Sequence, residues 1–275
     1  MVGRPGVHDV PVLGELVPHN NRAIIILPEY SLGSPDWAAV DELIRTVQRP
    51  IVLIVGFGAT AGKWIVDWHN RMIAAGSPTL RTLTWDQNAN PISNTLRVNG
   101  GWCWIHNFGG QTNCITFIKN NLEQSTEAVE LAHLQNGRTI PHLKFQDLDL
   151  FPLICADLVK PKSTGAGVPQ ARISNYLNST PRAERKILVT GSLLQPVPNI
   201  NWEIAINDVV NGIATGLNSI LVLVNQATGK PVADEQVDRW RSISGVFTRS
   251  TDLQKQSSVP AGRTLKSHGH SGARP

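Results

Sequence analysis

The sequence predicts a layered α/β domain followed by a polar tail, and three observations carry that expectation. Short continuous apolar runs, such as Ala23-Ile24-Ile25-Ile26-Leu27 and Ile51-Val52-Leu53-Ile54-Val55, have the length and β-branched content of strands buried on both faces. Segments with apolar residues three and four apart lie between such runs, so strands and helices alternate along the chain. Residues after about Ser250 hold few large apolar side chains and lack the means to join a core.

Taken in order, residues 1–20, rich in Pro, Gly and Val, read as an irregular lead-in. The run at 23–27 stops at Pro28-Glu29. Trp37, Val40, Leu43, Ile44 and Val47 then repeat at helical spacing, which predicts a helix over 35–48 with Ser34 as N-cap and Pro35 at the first helical position. The run at 51–55 follows, and this strand–helix–strand order implies a parallel pair with a right-handed crossover. Further strands are expected at 94–98, 114–118, 150–155, 187–191 and 219–224, and helices at about 63–75, 121–134, 168–177 and 202–216. No internal repeat is visible. The expected organisation is a lead-in at 1–20, one domain over 21–250, and a flexible basic tail at 251–275.

The chain has 275 residues, 41% hydrophobic and 17% charged, enough apolar content to fill the core of one such domain. No apolar run nears the ~20 residues that span a bilayer, and the opening carries no signal-peptide core. Three cysteines (Cys103, Cys114, Cys155) cannot all pair, and none lies in a Cys-x-x-Cys motif. Neither a disulfide framework nor a zinc finger is indicated, and a reducing, cytoplasmic setting is expected. A net charge of +4 and a pI of about 9.1 invite a nucleic-acid reading. Lys255, Arg263, Lys266 and Arg274 against Asp252 place +3 of that charge in the tail, leaving +1 for the body. A nearly neutral body lacks the clustered Lys and Arg that clamp phosphates, so nucleic acid is expected at most as a weak partner of the tail.

Several motifs have an ordinary structural explanation. Val55-Gly56-Phe57-Gly58-Ala59-Thr60-Ala61 matches a relaxed Gly-x-Gly-x-x-Ala dinucleotide fingerprint before a helical pattern. No acidic residue ends a clear next strand about 20 residues on, so a tight turn leaving a buried strand is the better reading. Gly62-Lys63 is followed by Trp64 and not by the Ser or Thr of a P-loop. The histidines (His8, His19, His69, His106, His133, His142, His268, His270) form no metal-binding spacing, so no metal site is expected in the body. A Cys–His hydrolase pairing Cys155 with His106, His133 or His142 stays open. Trp64 with Trp68, and Trp102 with Trp104, have helix and strand spacing; without accompanying positive charge they read as core aromatics and not as base-stacking platforms.

Three segments remain, each with a reactive side chain at the end of an apolar strand: Leu27-Pro28-Glu29, Phe117-Ile118-Lys119 and Leu153-Ile154-Cys155. Ligands of open α/β sheets gather outside the carboxyl ends of the strands. A carboxylate there can take a thiol proton, and an ammonium can stabilise both a thiolate and a developing oxyanion.

Pro28-Glu29, Lys119 followed by Leu122, and Ile154-Cys155-Ala156-Asp157 together resemble the Glu–Lys–Cys signature of the nitrilase, or carbon–nitrogen hydrolase, superfamily. The resemblance runs from about Asn21 to Ala227 and includes Trp202 and the late strand ending Val224-Asn225. It implies a four-layer α-β-β-α sandwich, with Glu29 as general base, Cys155 as nucleophile and Lys119 as electrostatic stabiliser. The Ala156 N–H would complete an oxyanion hole, with Asp157 beside it, and Glu127, eight positions after Lys119, would be a second glutamate. The substrate would be a small amide, carbamoyl compound or nitrile, the assembly a homo-oligomer, and no cofactor or metal is called for.

The chain departs from the family in two places. The family's first strand–helix unit is reduced or missing here, its strand replaced by something near Val10–Leu16 or the domain drawn from a longer protein. Ala156 also stands where the family usually has an aromatic. Two other functions stay open: a catalytically idle nitrilase-like interaction or signalling domain of a larger defence or regulatory protein, and a dinucleotide-binding oxidoreductase resting on Gly56–Ala61.

Overall fold

The computed structural model describes residues 6–10, 23–33, 36–74, 80–84, 91–107, 112–122, 129–145, 148–158, 169–179, 186–193, 206, 209–210, 218–225 and 245–248. The strands are β1 (Gly6–Val10), β2 (Ala23–Leu27), β3 (Ile51–Ala61), β4 (Leu80–Thr84), β5 (Arg97–His106), β6 (Thr112–Ile118), β7 (Thr139–Lys144), β8 (Leu148–Ile154), β9 (Lys186–Leu193), β10 (Asn218–Asn225) and β11 (Gly245–Thr248). The helices are α1 (Trp37–Thr46), α2 (Gly62–Ala74) and α3 (Pro169–Ser179). One sheet has the order β2-β3-β5-β6-β4 and the other β1-β7-β8-β9-β10-β11. As the strand–helix–strand order implies, β2 and β3 pair in parallel around α1.

Side-chain alternation explains the layering. Along β5, Cys103 and Ile105 join Val52, Ile54, Ile115 and Phe117 in the cluster shared with Leu150, Ile187 and Val189 of the second sheet. Trp102 and Trp104 face the other way, onto Trp37 and Ile44 of α1 and Ile65 and Trp68 of α2. Trp102 meets Trp37 and Trp68 with ring centroids 4.7 and 4.5 Å apart. On the far side, α3 sends Ile173 and Leu177 into the core of the second sheet, and its Tyr176 hydroxyl bonds to His142 Nδ1 at 3.1 Å. The result is a four-layer α-β-β-α sandwich.

The structure corrects several expectations. Gly6–Val10 is not an irregular lead-in but a strand, paired in parallel with β7. It ends at Val10, where the 10–16 stretch named as a replacement strand begins; 11–16 lie outside the described residues. Strand β2 is the edge of its sheet, so Ile25 and Leu27 are exposed and not buried on both faces. Leu43, placed on the apolar face of α1, is 65% exposed, and Asp41 is buried there instead, paired with Arg45. Asp36 occupies the N-cap position of α1; Ser34 and Pro35 lie outside the described residues. The strand expected at 94–98 begins only at Arg97 and runs on through the turn-prone Asn99-Gly100-Gly101 to His106. The 121–134 segment shows only a 3-10 turn at Leu131–His133 among its described residues. Of the Trp pairs, Trp64 is exposed and the other three are core.

The Gly56–Ala61 segment makes no turn. Strand β3 continues through it, pairing antiparallel with β5 as far as Ala61↔Arg97, with a register shift between Phe57 and Thr60. The segment is extended strand up to Ala61, directly before α2, and not the tight glycine turn on which the dinucleotide reading depends. A Cβ on Gly56 would lie 2.6 Å from Glu29 Cα, and one on Gly58 would lie 2.0 Å from Tyr30 Cε1. These glycines let the Glu29-Tyr30 segment settle onto the sheet. The expected helix at 202–216 is described only at Ile206, Val209 and Val210, which are helical and buried; the tail at 251–275 lies outside the described residues.

Candidate active site

Glu29, Lys119 and Cys155 each follow the last residues of a strand: β2, β6 and β8. Glu29 and Lys119 thus come from one sheet and Cys155 from the other. All three are at most 2% exposed. Lys119 Nζ donates to Glu29 Oε1 at 3.3 Å, a buried ion pair. Asn99 Nδ2 donates to the same oxygen at 2.9 Å. The Lys119 backbone is held on both sides, its N–H by the Asn99 carbonyl at 2.9 Å and its carbonyl by the Gly137 N–H at 2.8 Å.

Backbone strain marks two of the strand ends. Cys155 has φ 39° and Tyr30, next to Glu29, φ 63°, both in the left-handed region that side chains other than glycine rarely enter. Such a conformation costs on the order of 1–3 kcal/mol and persists only where its surroundings enforce it. At Cys155 the chain turns abruptly from β8 into the 3-10 segment Cys155–Leu158, a strand-to-helix elbow of the kind that presents a nucleophile.

Asp157 ties the Lys119 and Cys155 segments together. Its Oδ1 accepts the backbone N–H groups of Asn120 at 2.8 Å and Asn121 at 2.9 Å, and Oδ2 faces the Ile154 N–H at 3.5 Å. Asn121 Nδ2 adds a bond to the Ala156 carbonyl at 3.3 Å. Residues 120–122, whose first two amides Asp157 holds, are non-helical. Burial pushes the Asp157 carboxyl up to about 6, against the opposing pull of the Asn121 N–H, Lys119 and the other backbone donors. Asp157, expected beside a substrate, thus directs its carboxylate at backbone amides.

Ala156 lies inside the same buried turn. Glu127 lies outside the described residues. The residue that sequence reasoning missed is Asn99, whose Asn-Gly-Gly context suggests a turn. The three histidines considered as bases for Cys155 have other partners. His142 engages Asp149 Oδ1 (2.5 Å) and the Tyr176 hydroxyl through its two nitrogens. His106 bonds Thr112 Oγ1 and the Val47 carbonyl, and His133 is on the surface beside Glu130.

The four-layer sandwich is the fold that the carbon–nitrogen hydrolase resemblance implies. No protein-family profile matches the chain, and no curated protein matches it in sequence. Three solved structures illustrate what it is similar to. One is an amidase from Nesterenkonia sp. AN1 bearing acrylamide added at its active-site cysteine: 14% identity, 74% of this chain and 64% of that one, TM-score 0.39. Another is XC1258 from Xanthomonas campestris, a CN-hydrolase superfamily protein with an arsenic adduct in its active site: 12% identity, 82% and 70% covered, TM-score 0.46. The third is a glutamine-dependent NAD+ synthetase from Acinetobacter baumannii: 15% identity, 75% and 32% covered, TM-score 0.40. The chain spans just under two thirds of the amidase and about one third of the synthetase.

Proposed function

We propose that this chain is a thiol hydrolase that cleaves a non-peptide carbon–nitrogen bond in a small amide, carbamoyl compound or nitrile. The observation that carries the reading is the buried Glu29–Lys119 pair, joined through the Asp157 clamp to the strained turn that begins at Cys155. In the proposed reaction on an amide, Glu29 takes the thiol proton as Cys155 Sγ attacks the carbonyl carbon. The oxyanion of the tetrahedral species is stabilised by Lys119 and the Ala156 N–H. Glu29 returns the proton to the leaving nitrogen as the C–N bond breaks, releasing ammonia or an amine and leaving a thioester. Glu29 then takes a proton from water, whose oxygen attacks the thioester; the acid departs and the thiol is restored. Glu127, a homo-oligomeric assembly and a cytoplasmic setting belong to the same proposal.

A second reading is favoured by the near-complete burial of Glu29, Lys119 and Cys155: an idle nitrilase-like interaction or signalling domain that keeps the residues as packing. Ammonia release from a panel of small amides, carbamoyl compounds and nitriles separates the two. Turnover of any member supports the hydrolase; silence across the panel, with a Cys155 inert to alkylation, favours the idle domain.

A further inference from the structure

We propose that Asn99 is a positioning residue for Glu29, occupying one carboxylate oxygen so that the other exchanges the thiol proton. The proposal rests on the reading of Glu29 as general base. Asn99 is fully buried on β5 and shares the between-sheet parity of Cys103 and Ile105, opposite to Val98. Its Nδ2 and Lys119 Nζ converge on the same oxygen, Oε1, at 2.9 and 3.3 Å. Among the described residues no hydrogen bond reaches Oε2. The amide must present its NH2 edge here, because an ionised carboxylate only accepts.

The consequence is chemical. A proton placed on Oε1 would face two groups that can only donate, whereas a proton on Oε2 meets no such opposition. Glu29 is therefore made asymmetric, with Oε1 anchored and Oε2 the working oxygen. Asn99 also accepts the Lys119 N–H through its backbone carbonyl. One residue thereby sets the relative position of the base and the ammonium, and a side-chain substitution there removes the bond to Glu29 while keeping the backbone bond to Lys119.

The test is the pH profile of Cys155 alkylation by iodoacetamide in the full chain, followed by peptide mass mapping, for wild type, Glu29→Gln, Asn99→Ala and Asn99→Asp. Wild type should show a neutral plateau and an acid limb, and Glu29→Gln should lose the plateau. Loss of the Asn99 donor disfavours the ionised carboxylate, so the acid limb should move to higher pH in Asn99→Ala and further in Asn99→Asp. At the wild-type midpoint, Asn99→Asp should react about tenfold more slowly, while the neutral plateau is kept. Asn99→Asp preserves size and shape and keeps the test valid if Asn99→Ala does not fold. Acid limbs that coincide with wild type, or a rate loss uniform in pH, overturn the role of Asn99 while leaving the Glu29 reading intact. A Glu29→Gln profile matching wild type sinks that reading, and the Asn99 proposal with it.

Discussion

Lys119 Nζ stands 3.3 Å from Glu29 Oε1 inside the protein, although ninety positions separate them in the chain. Each charge of this buried pair offsets part of the other's desolvation, so removing one leaves the other less well compensated. Lys119→Met should therefore cost about 3–5 kcal/mol in urea denaturation, and Glu29→Gln combined with it should recover part of that loss. A cost for Lys119→Met below about 1 kcal/mol would show that the pair is not a coupled buried unit.

Asp157 should give the fold a stability that rises toward acid. Its carboxyl is held at about 6 in the native state against 3.8 ordinarily, mainly by burial, so the native state binds the proton more tightly across that interval. The contribution, about 3 kcal/mol at ~1.4 kcal/mol per pKa unit, is fully present below about pH 4 and lost as pH rises through about 6. Asp157→Asn keeps an acceptor for the Asn120 and Asn121 amides but cannot titrate. Denaturation midpoints of this variant relative to wild type should lack that slope; an unchanged slope contradicts the assignment.

His69 should act in the opposite sense over an overlapping interval. Burial beside Trp68 and Trp102 lowers its imidazolium from 6.5 to about 4, and Nε2 bonds Thr116 Oγ1 at 2.9 Å. The unfolded chain takes the proton first, so this contribution is present above about pH 6.5 and is lost as pH falls through about 4. His69→Gln should flatten the acid side of the stability curve. A curve as steep as the wild type's would assign the acid sensitivity elsewhere.

Gly56 is required by close approach and not by nucleotide binding. An added Cβ would press within 2.6 Å of Glu29 Cα, a backbone atom that cannot swing aside. Gly56→Ala should cost about 1–3 kcal/mol through overpacking and should also slow Cys155 alkylation by displacing the base. Wild-type stability together with wild-type alkylation would show that the sheet absorbs the methyl group.

Helices α1 to α3 and the strands built on continuous apolar runs, such as 51–55 and 150–154, were legible in the sequence, whereas β4, β7 and β11 fall where no strand was expected. What escaped was decided by partners distant in sequence. Asp157 holds the Asn120 and Asn121 amides from across the site, and 120–122 are non-helical where a helix was expected to begin. Asn99-Gly100-Gly101 carries turn chemistry yet lies in β5, where a Cβ on Gly100 would meet the Phe117 carbonyl at 2.2 Å. The edge position of β2 depends on sheet order, which no local run of apolar residues encodes. Glu29, Lys119 and Cys155 stood out as reactive groups at strand ends. The buried Asn99 carried no such mark, and only the bond to Glu29 brings it into view.

The most direct measurement is the rate of ammonia release by wild type and Cys155→Ser on whichever panel compound the wild type turns over. Serine keeps the shape of the side chain but is a far weaker acid and nucleophile. Turnover should vanish in Cys155→Ser with the denaturation midpoint nearly unchanged, while Cys103→Ser and Cys114→Ser retain most activity. Hydrolysis by Cys155→Ser at close to the wild-type rate would contradict a thiol mechanism at this site.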